Sequence, residues 1–325
     1  MNVAMVGHGM MGVWHTEALA GTGAVKHVLV GRRPEPTAAF AAQHGYARWT
    51  VDLDEALADP AVDAVIVGSP SEQHADHALR CLAAGKHVLL EIPVAMSLAR
   101  AEQVVAAAAA SGKVVAMGHP MRFRRERDAL RARIAAGEER IRHLAGRFFI
   151  PRLVNIGATG YRRSWTDNIL WHHFCHFVDL ACWLFEVEDW AQLDSFYPDV
   201  HPTTGIPMEC VILAATADER SVMVHGSYHA TYRFYDKLIV TDRDTYFFDI
   251  LAGTLRTRDG VQTIEDEKSN CFRVTRDFID AVRTGRPPRA PVASVLPAMR
   301  VLQRVQDVWD LRHGPRDLPG RPLSA

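Results

Sequence analysis

The first third of the chain alternates short apolar runs with amphipathic segments. The spacing of apolar residues in the amphipathic segments predicts helices, for example at Gln73–Ala84 and Ala99–Ser111. Continuous apolar runs are typical of parallel strands covered on both faces, and their alternation with helices is typical of βαβ units. The predicted strands are Val3–Val6, Lys26–Val30, Ala64–Val67, His87–Glu91 and Val114–Gly118. Residues 1–120 are therefore predicted to form an α/β domain around a doubly wound parallel sheet.

The pattern changes near residue 120, and we predict a second domain at residues 121–325. It begins with a basic amphipathic helix at Arg122–Ala136, and another helix follows at Thr166–Phe185. Apolar and polar residues alternate with a period of two in the later runs, which predicts a mostly antiparallel sheet. The predicted strands are Ile141–Ile150, Glu209–Thr216, Ser221–Tyr228, Asp236–Thr241 and Thr245–Ile250. Helical patterns at Asn270–Arg283 and Ser294–Asp310 close this α+β domain and could pack back on the first one.

Composition narrows the class of protein. The chain has 325 residues, of which 48% are hydrophobic, and this length suffices for two domains with their own cores. A formal net charge of −1 gives no electrostatic reason to expect nucleic acid or a membrane surface as a partner. The five cysteines form no C-x-x-C pair, which is typical of reduced thiols in the cytosol. Because the first predicted strand starts at residue 2 with no basic leader before it, we expect a cytoplasmic protein.

A glycine motif follows the first predicted strand. Gly7, Gly9 and Gly12 form a G-x-G-x-x-G pattern, with Met10 and Met11 between the last two glycines. Between a strand and a helix, these glycines permit a tight turn, close approach of a pyrophosphate, and close packing of the helix on the strand. The motif predicts a Rossmann dinucleotide-binding domain, and the alternative is a glycine-rich turn without a ligand.

The end of the second predicted strand bears on the choice of cofactor. NAD-specific sites usually carry an acidic residue about 20 residues after the glycine motif, where it binds the adenine ribose. Here the chain instead reads Val30-Gly31-Arg32-Arg33. Arginine pairs strongly with phosphate, so Arg32 and Arg33 favour NADP with its 2′-phosphate. NAD stays possible, because the two arginines could equally form a solvated turn.

Several motifs together resemble the glucose–fructose oxidoreductase and inositol dehydrogenase (MocA-type) family. They are Gly68-Ser69-Pro70-Ser71 with His74, Ala84-Gly85-Lys86-His87-Val88 leading to Glu91-Ile92-Pro93, and the C-terminal run Asp277 to Pro287. The resemblance implies a Rossmann domain followed by a domain with a large open-faced sheet, through which members often form homodimers or higher homo-oligomers. It also implies cofactor contacts at Met10, Met11, Ser69, Pro70, His74, Glu91 and Ile92.

Two departures from that family indicate a narrower branch. The usual Glu-Lys-Pro lysine is Ile92 here, and the usual aspartate four residues before the catalytic histidine is His172, while His176 matches the histidine itself. With these changes, the stretches Glu91–Pro93, Gly118–Phe123 and Arg163–His173 resemble the 4-carboxy-2-hydroxymuconate-6-semialdehyde dehydrogenase family. This resemblance implies NADP-dependent oxidation of a cyclic hemiacetal to the lactone 2-pyrone-4,6-dicarboxylate, in aromatic-acid breakdown by the protocatechuate 4,5-cleavage route.

The predicted helix Thr166–Phe185 carries the candidate catalytic residues. At 100° per residue, His172, His176 and Asp179 share one face at i, i+4 and i+7. Alcohol or hemiacetal oxidation needs a base for the hydroxyl proton, and a carboxylate can support a histidine in that role. We predict His176 as the base, with His172 as second choice. The alternatives are structural histidines or a metal site, but no complete ligand set accompanies the histidines and we expect no metal.

A dicarboxylate substrate needs cationic contacts, and these are expected between the two domains. Arg122 and Arg163 are the leading candidates, while Arg124 and Arg125 are expected on a solvated helix face. Further candidate contacts near the catalytic helix are Ser164, Trp165, Thr166 and His173. Trp165 is alternatively a core residue, and His173 alternatively a core or cofactor-contacting residue.

Two other functions stay open from the sequence. One is an NAD(P)-dependent sugar or polyol dehydrogenase of the same broad family. The other is a nucleotide-sensing regulator that has lost catalysis, since Ile92 replaces the usual lysine. Retention of His172, His176 and Asp179 favours an enzyme.

Overall fold

A computed structural model describes residues 1–154, 156 and 165–315 of the chain. The first domain is built on a six-stranded parallel sheet in the order β3-β2-β1-β4-β5-β6, which confirms the predicted doubly wound topology. Its strands are β1 (Asn2–Val6), β2 (Val25–Val30), β3 (Arg48–Thr50), β4 (Ala64–Val67), β5 (His87–Leu90) and β6 (Val115–Met117). The strand order reverses between β1 and β4, and ligands of such sheets bind at this crevice beyond the carboxyl ends of the strands.

The helices of this domain begin and end at residues suited to those positions. They are α1 (Met10–Ala18), α2 (Pro34–His44), α3 (Leu53–Ala58), α4 (His74–Ala83) and α5 (Leu98–Ser111). The Ser97 side chain accepts a hydrogen bond from the Arg100 amide and caps α5. Helix α2 starts with Pro34 in its first turn and stops at Gly45, whose φ of 72° is left-handed.

The second domain contains an eight-stranded sheet in the order β14-β13-β12-β11-β7-β10-β9-β8. All neighbouring strands are antiparallel except β7 and β10, so the predicted mostly antiparallel sheet is confirmed. The strands are β7 (Ile141–Pro151), β8 (Gln192–Phe196), β9 (Glu209–Ala215), β10 (Ser221–Ser227), β11 (His229–Thr241), β12 (Thr245–Asp249), β13 (Thr254–Thr257) and β14 (Gly260–Thr263).

Helices cover one face of this sheet and connect it to the first domain. They are α6 (Arg125–Ala135), α7 (Cys175–Phe185), α8 (Glu267–Thr284) and α9 (Leu296–His313). Helix α7 packs closely on β7, since a Cβ on Gly146 would lie 2.3 Å from the Phe177 ring. Helix α8 lies against α1, and α9 contacts both α5 and α7. The C-terminal helices therefore pack back on the first domain and join the two sheets.

Two predicted helices have different geometry in the structure. The segment Arg122–Ala136 begins as a 3-10 turn at Pro120–Phe123, and α6 starts only at Arg125. The segment Thr166–Phe185 is a 3-10 turn at Trp165–Asp167, a π-helical stretch at Ile169–Phe174 and then α7. Among the described residues, no helix has the length and apolar character needed to cross a bilayer.

Candidate active site

The carboxyl ends of five parallel strands bring the predicted cofactor residues to one edge of the first sheet. Gly7 follows β1, Gly31 follows β2, Gly68 follows β4, Glu91 follows β5, and Gly118 follows β6. These positions are far apart in sequence but adjacent across the sheet, because the strands are parallel and in register. This edge is where doubly wound sheets bind dinucleotides.

The glycine loop has the shape that a pyrophosphate requires. Gly7 has a φ of 92°, and a Cβ there would lie 2.5 Å from the Gly68 oxygen. A Cβ on Gly12 would lie 2.4 Å from the Gly7 oxygen, so both positions exclude side chains. Gly9 is the N-cap of α1 and has no atom within 4 Å of its ideal Cβ position. The space above Gly9 is therefore open to a pyrophosphate, and the site fits a dinucleotide. Met10, in the first turn of α1, is 51% exposed, while Met11 is partly buried.

The structure shows why no acidic residue follows β2. A Cβ on Gly31 would lie 1.9 Å from the Thr37 hydroxyl oxygen, so Thr37 occupies the space of any side chain at residue 31. The next two residues, Arg32 and Arg33, are exposed. His8 of the glycine loop lies against the same corner, with its Nε2 3.3 Å from the Thr37 oxygen. This corner therefore presents two exposed arginines beside the His8 ring, while the buried Thr37 hydroxyl donates to the Arg33 carbonyl at 2.6 Å.

Beyond β4, a buried histidine stabilises the loop that carries Ser69 and Pro70. The His74 ring makes hydrogen bonds with the Ser69 carbonyl at 2.8 Å and with the Pro93 carbonyl at 2.7 Å. Because His74 is 2% exposed and both ring nitrogens have partners, its predicted cofactor contact is replaced by a positioning role. Ser69 and Pro70 are partly exposed at the sheet edge, where they were predicted.

Glu91 lies in a buried network that joins the two ends of the chain. Its Oε1 is 2.8 Å from His15 Nε2, and His15 Nδ1 is 2.7 Å from the hydroxyl of Thr275 on α8. Burial alone would lower the pKa of His15, but Cys271 and Glu91 outweigh burial and raise it to about 10. Glu91 is thus engaged with His15 beneath the sheet edge, rather than presented to a ligand. Ile92 beside it is 7% exposed and has no proton to exchange.

The segment that carries the predicted histidine face begins with a π-helical stretch, and two of its histidines have hydrogen-bond or ionic partners there. A π turn has its hydrogen bonds from i to i+5, so residues before Cys175 are rotated relative to an ideal α-helix. His172 Nδ1 lies 3.5 Å from Asp167, and His173 Nδ1 lies 2.6 Å from the Tyr228 hydroxyl. His172 and His173 therefore have their own partners, Asp167 and Tyr228.

His176 remains the best-placed candidate base. It is half-buried at the start of α7, and its Nδ1 is enclosed without a hydrogen-bond partner among the described residues. Burial lowers the pKa of His176, with Lys237 adding to the effect and Glu91 and Glu267 opposing it. The imidazole is therefore neutral at pH 7 and able to accept a proton.

His119 is a site residue that the sequence analysis missed. Its ring packs edge-on against His176 with a centroid distance of 6.0 Å, and its Nδ1 is 3.3 Å from Asp179. Burial lowers the pKa of His119 to about 4, although Asp179 opposes the shift. The available signal was its place directly after β6, at the same edge as the glycine loop.

The structure corrects the roles of Asp179 and Arg122. Arg122 donates to both Asp179 oxygens, from Nε at 2.8 Å and from Nη2 at 2.5 Å, and it also donates to Ser294. Both charged residues are at most 1% exposed. Arg122 is therefore a buried structural partner and not a substrate clamp. Asp179 pairs with Arg122 and lies near His119, instead of holding the His176 ring by a hydrogen bond.

Other predicted substrate contacts are also redefined. Arg124 was expected on a solvated face but is 1% exposed and pairs with Glu267, while Arg125 is exposed as expected. Thr166 is 1% exposed and donates to Glu72 at 2.7 Å. Trp165 packs edge-on against Trp309 at 5.5 Å, which is the alternative core role. Arg163 and Ser164 lie outside the described residues.

A polar chain that the sequence analysis did not identify lies where the parallel strands β7 and β10 end. Arg152 follows β7 and donates from Nη1 to the hydroxyl of Tyr228, which follows β10, at 3.0 Å. The same hydroxyl lies 2.6 Å from His173, whose ring stacks on Phe148 at 4.2 Å. Arg152 is therefore a cation close to the histidine-bearing segment. Among the described residues, no group of His, Cys, Asp and Glu side chains is arranged to hold a metal ion.

Comparisons with known proteins agree with this architecture. Residues 1–119 match the model of an oxidoreductase family with an NAD-binding Rossmann fold (GFO/IDH/MocA), and residues 126–249 match that of bacterial oxidoreductase C-terminal domains. The 4-carboxy-2-hydroxymuconate-6-semialdehyde dehydrogenase of Sphingobium sp. is 33% identical over 315 residues, covering 94% of this chain and 98% of that protein. An inositol 2-dehydrogenase of Mycolicibacterium smegmatis is 32% identical over 205 residues, which are 62% of this chain and 57% of the relative.

Solved structures share the whole fold. Levoglucosan dehydrogenase in complex with NADH and levoglucosan superimposes with a TM-score of 0.82 at 18% identity, over 98% of this chain and 99% of that one. At this identity the match shows the fold alone. The full-length relative and the two family models show more: the chain belongs to the GFO/IDH/MocA oxidoreductase family and is an NAD(P)-dependent oxidoreductase acting on alcohol or hemiacetal donors.

Proposed function

We propose that this enzyme oxidises the cyclic hemiacetal of 4-carboxy-2-hydroxymuconate-6-semialdehyde to 2-pyrone-4,6-dicarboxylate, with NADP as the preferred cofactor. The observation that carries the proposal is that the family's usual lysine is missing while a neutral histidine is placed to accept a proton. Ile92 stands where sugar and polyol members of the family have lysine, while His176 is neutral, half-buried and has an unpartnered Nδ1 among the described residues. The relative that matches over 94% of the chain carries the corresponding name.

The chemistry of the substrate is consistent with the missing lysine. A bound nicotinamide supplies the hydride acceptor. The base has only to remove the hydroxyl proton, and a hemiacetal hydroxyl is more acidic than that of a plain alcohol. His176 accepts this proton in its neutral form. Glu91 opposes the effect of burial on the pKa of His176, so it favours the protonated ring that results.

Preference for NADP is supported by the corner after β2. Thr37 leaves no room for an acidic side chain at Gly31, so the usual contact to the ribose hydroxyls is missing. Arg32 and Arg33 follow directly, and arginine–phosphate hydrogen bonds are among the stronger ones in proteins. A 2′-phosphate therefore gains contacts at this corner that NAD cannot make.

A dicarboxylate substrate needs at least one cation near the histidines. With Arg122 paired to Asp179, we assign this role to Arg152, which is held by the Tyr228 hydroxyl beside His173. A sugar site would instead be lined by groups that share hydrogen bonds with several hydroxyls.

A substrate panel tests the proposed reaction. The full-length enzyme is given NADP and the enzymatically prepared ring-cleavage product, and NADPH formation is followed by absorbance. We expect turnover with this product, and at least about 100-fold lower kcat/KM with inositols, glucose and anhydro sugars. Turnover of sugars or polyols without turnover of the muconate semialdehyde would establish the alternative, a sugar or polyol dehydrogenase.

The cofactor preference is tested by Arg32→Ala, with Arg258→Ala as an exposed control far from the glycine loop. Loss of one charge-assisted phosphate contact is expected to weaken NADP binding about tenfold, while NAD binding changes little. Binding is measured by titration of each cofactor against the apo enzyme. Equal losses for NADP and NAD would mean that Arg32 does not contact the 2′-phosphate.

We also propose that the open face of the eight-stranded sheet forms a homodimer. The face opposite α7 exposes apolar side chains on several strands, namely Phe196, Leu213, Phe234 and Val261. A large exposed apolar surface is typical of protein–protein contacts. We expect Leu213→Glu to convert the dimer to a monomer in light-scattering measurements, while Leu251→Glu, at an exposed turn, leaves the mass unchanged. A monomeric wild-type enzyme would contradict this assignment.

A further inference from the structure

A buried cationic cluster lies behind α7, where β11, α6 and α8 approach one another. Its members are Arg124, Arg127, Lys237 and Glu267. Arg127 and Lys237 are 0% exposed, and Arg124 is 1% exposed. None of these residues belongs to the glycine loop, while the charges of Lys237 and Glu267 act on the pKa of His176 in opposite directions. Their burial needs an explanation, because charged side chains are almost never fully buried unless they are paired.

The strand register places the two most buried cations next to each other. Lys237 on β11 is directly opposite Phe248 on β12, so the two side chains lie side by side on the same face. The guanidinium carbon of Arg127 lies 4.8 Å from the Phe248 ring centroid. Lys237 Nζ lies 4.1 Å from the Tyr235 ring and 5.0 Å from the Phe177 ring. Arg127 and Lys237 therefore share a compartment with aromatic walls.

Both cations have hydrogen-bond donors without acceptors. Arg127 donates from Nη1 to the Met121 carbonyl at 2.8 Å. Its Nε and Nη2, and the Nζ of Lys237, are enclosed and have no partner among the described residues. The aromatic rings compensate part of the charge through their faces. They do not satisfy the N–H groups of Arg127, which point outward in the plane of the guanidinium.

The local charges also do not balance. The carboxylate of Glu267 lies 2.7 Å from Arg124, and Glu126 acts on its neighbour Arg127, so two acids serve three basic side chains. The next acids are engaged elsewhere, because Asp236 pairs with Arg147 on the other face of the sheet and Glu265 pairs with Arg125 and Arg273. Burial, followed by the charge of Arg127, lowers the pKa of Lys237 well below its usual value. In its charged form, Lys237 therefore leaves one positive charge without a compensating acid.

We propose that Arg127 and Lys237 bind a small monovalent anion of the halide class. One negative charge balances the cluster, and the anion accepts hydrogen bonds from Arg127 Nε, Arg127 Nη2 and Lys237 Nζ. A substrate carboxylate does not fit this role, because neither cation is accessible at the surface. The anion stabilises the contact between β11, α6 and α8 by removing the cost of an unpaired buried charge.

Thermal unfolding of the full-length protein tests this site in chloride, bromide and gluconate salts at matched ionic strength. A ligand that binds only the folded state stabilises it by mass action, so the Tm rises with halide until the site saturates. We expect a rise of about 3 to 5 °C at one hundred times the halide Kd, and no such rise in gluconate. The rise is expected to vanish in Lys237→Met and to persist in Lys268→Met, a control at a partly exposed lysine that pairs with Glu17.

Crystals of the wild-type enzyme grown in bromide give a second, independent measurement. The proposal predicts an anomalous bromide peak within hydrogen-bond distance of Arg127 Nε and Lys237 Nζ. This measurement decides the question if Lys237→Met does not fold. A Tm that responds equally to gluconate and halide, or a water molecule without anomalous signal at this position, would overturn the proposal.

Discussion

The two halves of the active site are built by different means. In the first domain, the nucleotide site is formed by backbone, and its three defining residues are Gly7, Gly9 and Gly12, whose main requirement is the absence of a side chain. In the second, the reactive group His176 depends on side chains from several elements, including His119 after β6 and Asp179 on α7. A backbone site tolerates changes in its surroundings. A side-chain site depends on every buried neighbour.

The buried charges follow the same division. The arginines at the corner after β2 are exposed, so they remain solvated and carry no desolvation penalty in the absence of a phosphate. The catalytic side holds the Arg122–Asp179 pair, which is almost fully enclosed. Substitutions on the catalytic side are therefore expected to affect folding and rate together, whereas substitutions in the glycine loop can separate the two.

The largest expected effect is on the rate after loss of the base. His176→Ala removes the group that takes the hydroxyl proton, and general-base catalysis contributes about 10²- to 10⁴-fold. We expect kcat to fall by that factor while NADP affinity, measured by titration, stays nearly constant. His143→Gln, on the sheet and paired with Ser221, is the matched control. Wild-type kcat in His176→Ala would remove the catalytic assignment and leave His172 as the candidate.

The next largest effect is expected on stability, at the buried Arg122–Asp179 pair between the two domains. Asp179→Asn leaves Arg122 buried without its carboxylate, and breaking one side of a buried ion pair costs about 3–5 kcal/mol of unfolding free energy. Denaturant unfolding measures this loss. The double variant Arg122→Met with Asp179→Leu should lose less, because no charge is left unpaired. If Arg122→Met instead raised KM at unchanged stability, the clamp role predicted from the sequence would be restored.

The sequence was sufficient for features that depend on local pattern. The parallel strands, the glycine loop and the basic corner at Arg32 and Arg33 each follow from residues close together in the chain, and five of the six strands lie where they were predicted, β3 being the exception. The doubly wound class of the first sheet and the mostly antiparallel second sheet also followed from pattern, whereas β8, β13 and β14 were not predicted. In each case, the determinant is either the period with which apolar residues recur along the chain or the position of glycines at turns.

The same reasoning failed where partners are distant. Nothing near Arg122 in sequence shows that Asp179, 57 residues away, would bind it, so an arginine in a buried pair looked like a ligand contact. The contacts of His172 with Asp167 and of His173 with Tyr228 were missed too, and the π turn at Ile169–Phe174 replaces the α-helix predicted there. His119 was missed because a single histidine after a short strand has no distinguishing spacing.

Two glycine substitutions test whether cofactor affinity and stability can be separated in the glycine loop. Gly9→Ala adds a methyl group into open space, so the Tm should stay unchanged while the methyl obstructs the pyrophosphate and weakens NADP binding at least about tenfold. Gly12→Ala places a Cβ 2.4 Å from the Gly7 oxygen, so both Tm and affinity should fall. Thermal unfolding and cofactor titration of the two variants give the result. Wild-type NADP affinity in Gly9→Ala would place the pyrophosphate elsewhere.

The smallest expected effect concerns the pH profile of kcat/KM, namely the pH at which activity falls on the acidic side. Burial holds the pKa of His176 below 6.5, and the base acts in its neutral form, so activity should be flat above pH 6.5. It should then decrease tenfold per pH unit once the pH is below that pKa, because the ring becomes protonated. His176→Ala should lose this limb, which separates it from acid-induced changes in the substrate. A limb centred above pH 7 would mean that the base is a solvated group, and the enclosed histidine would then be structural.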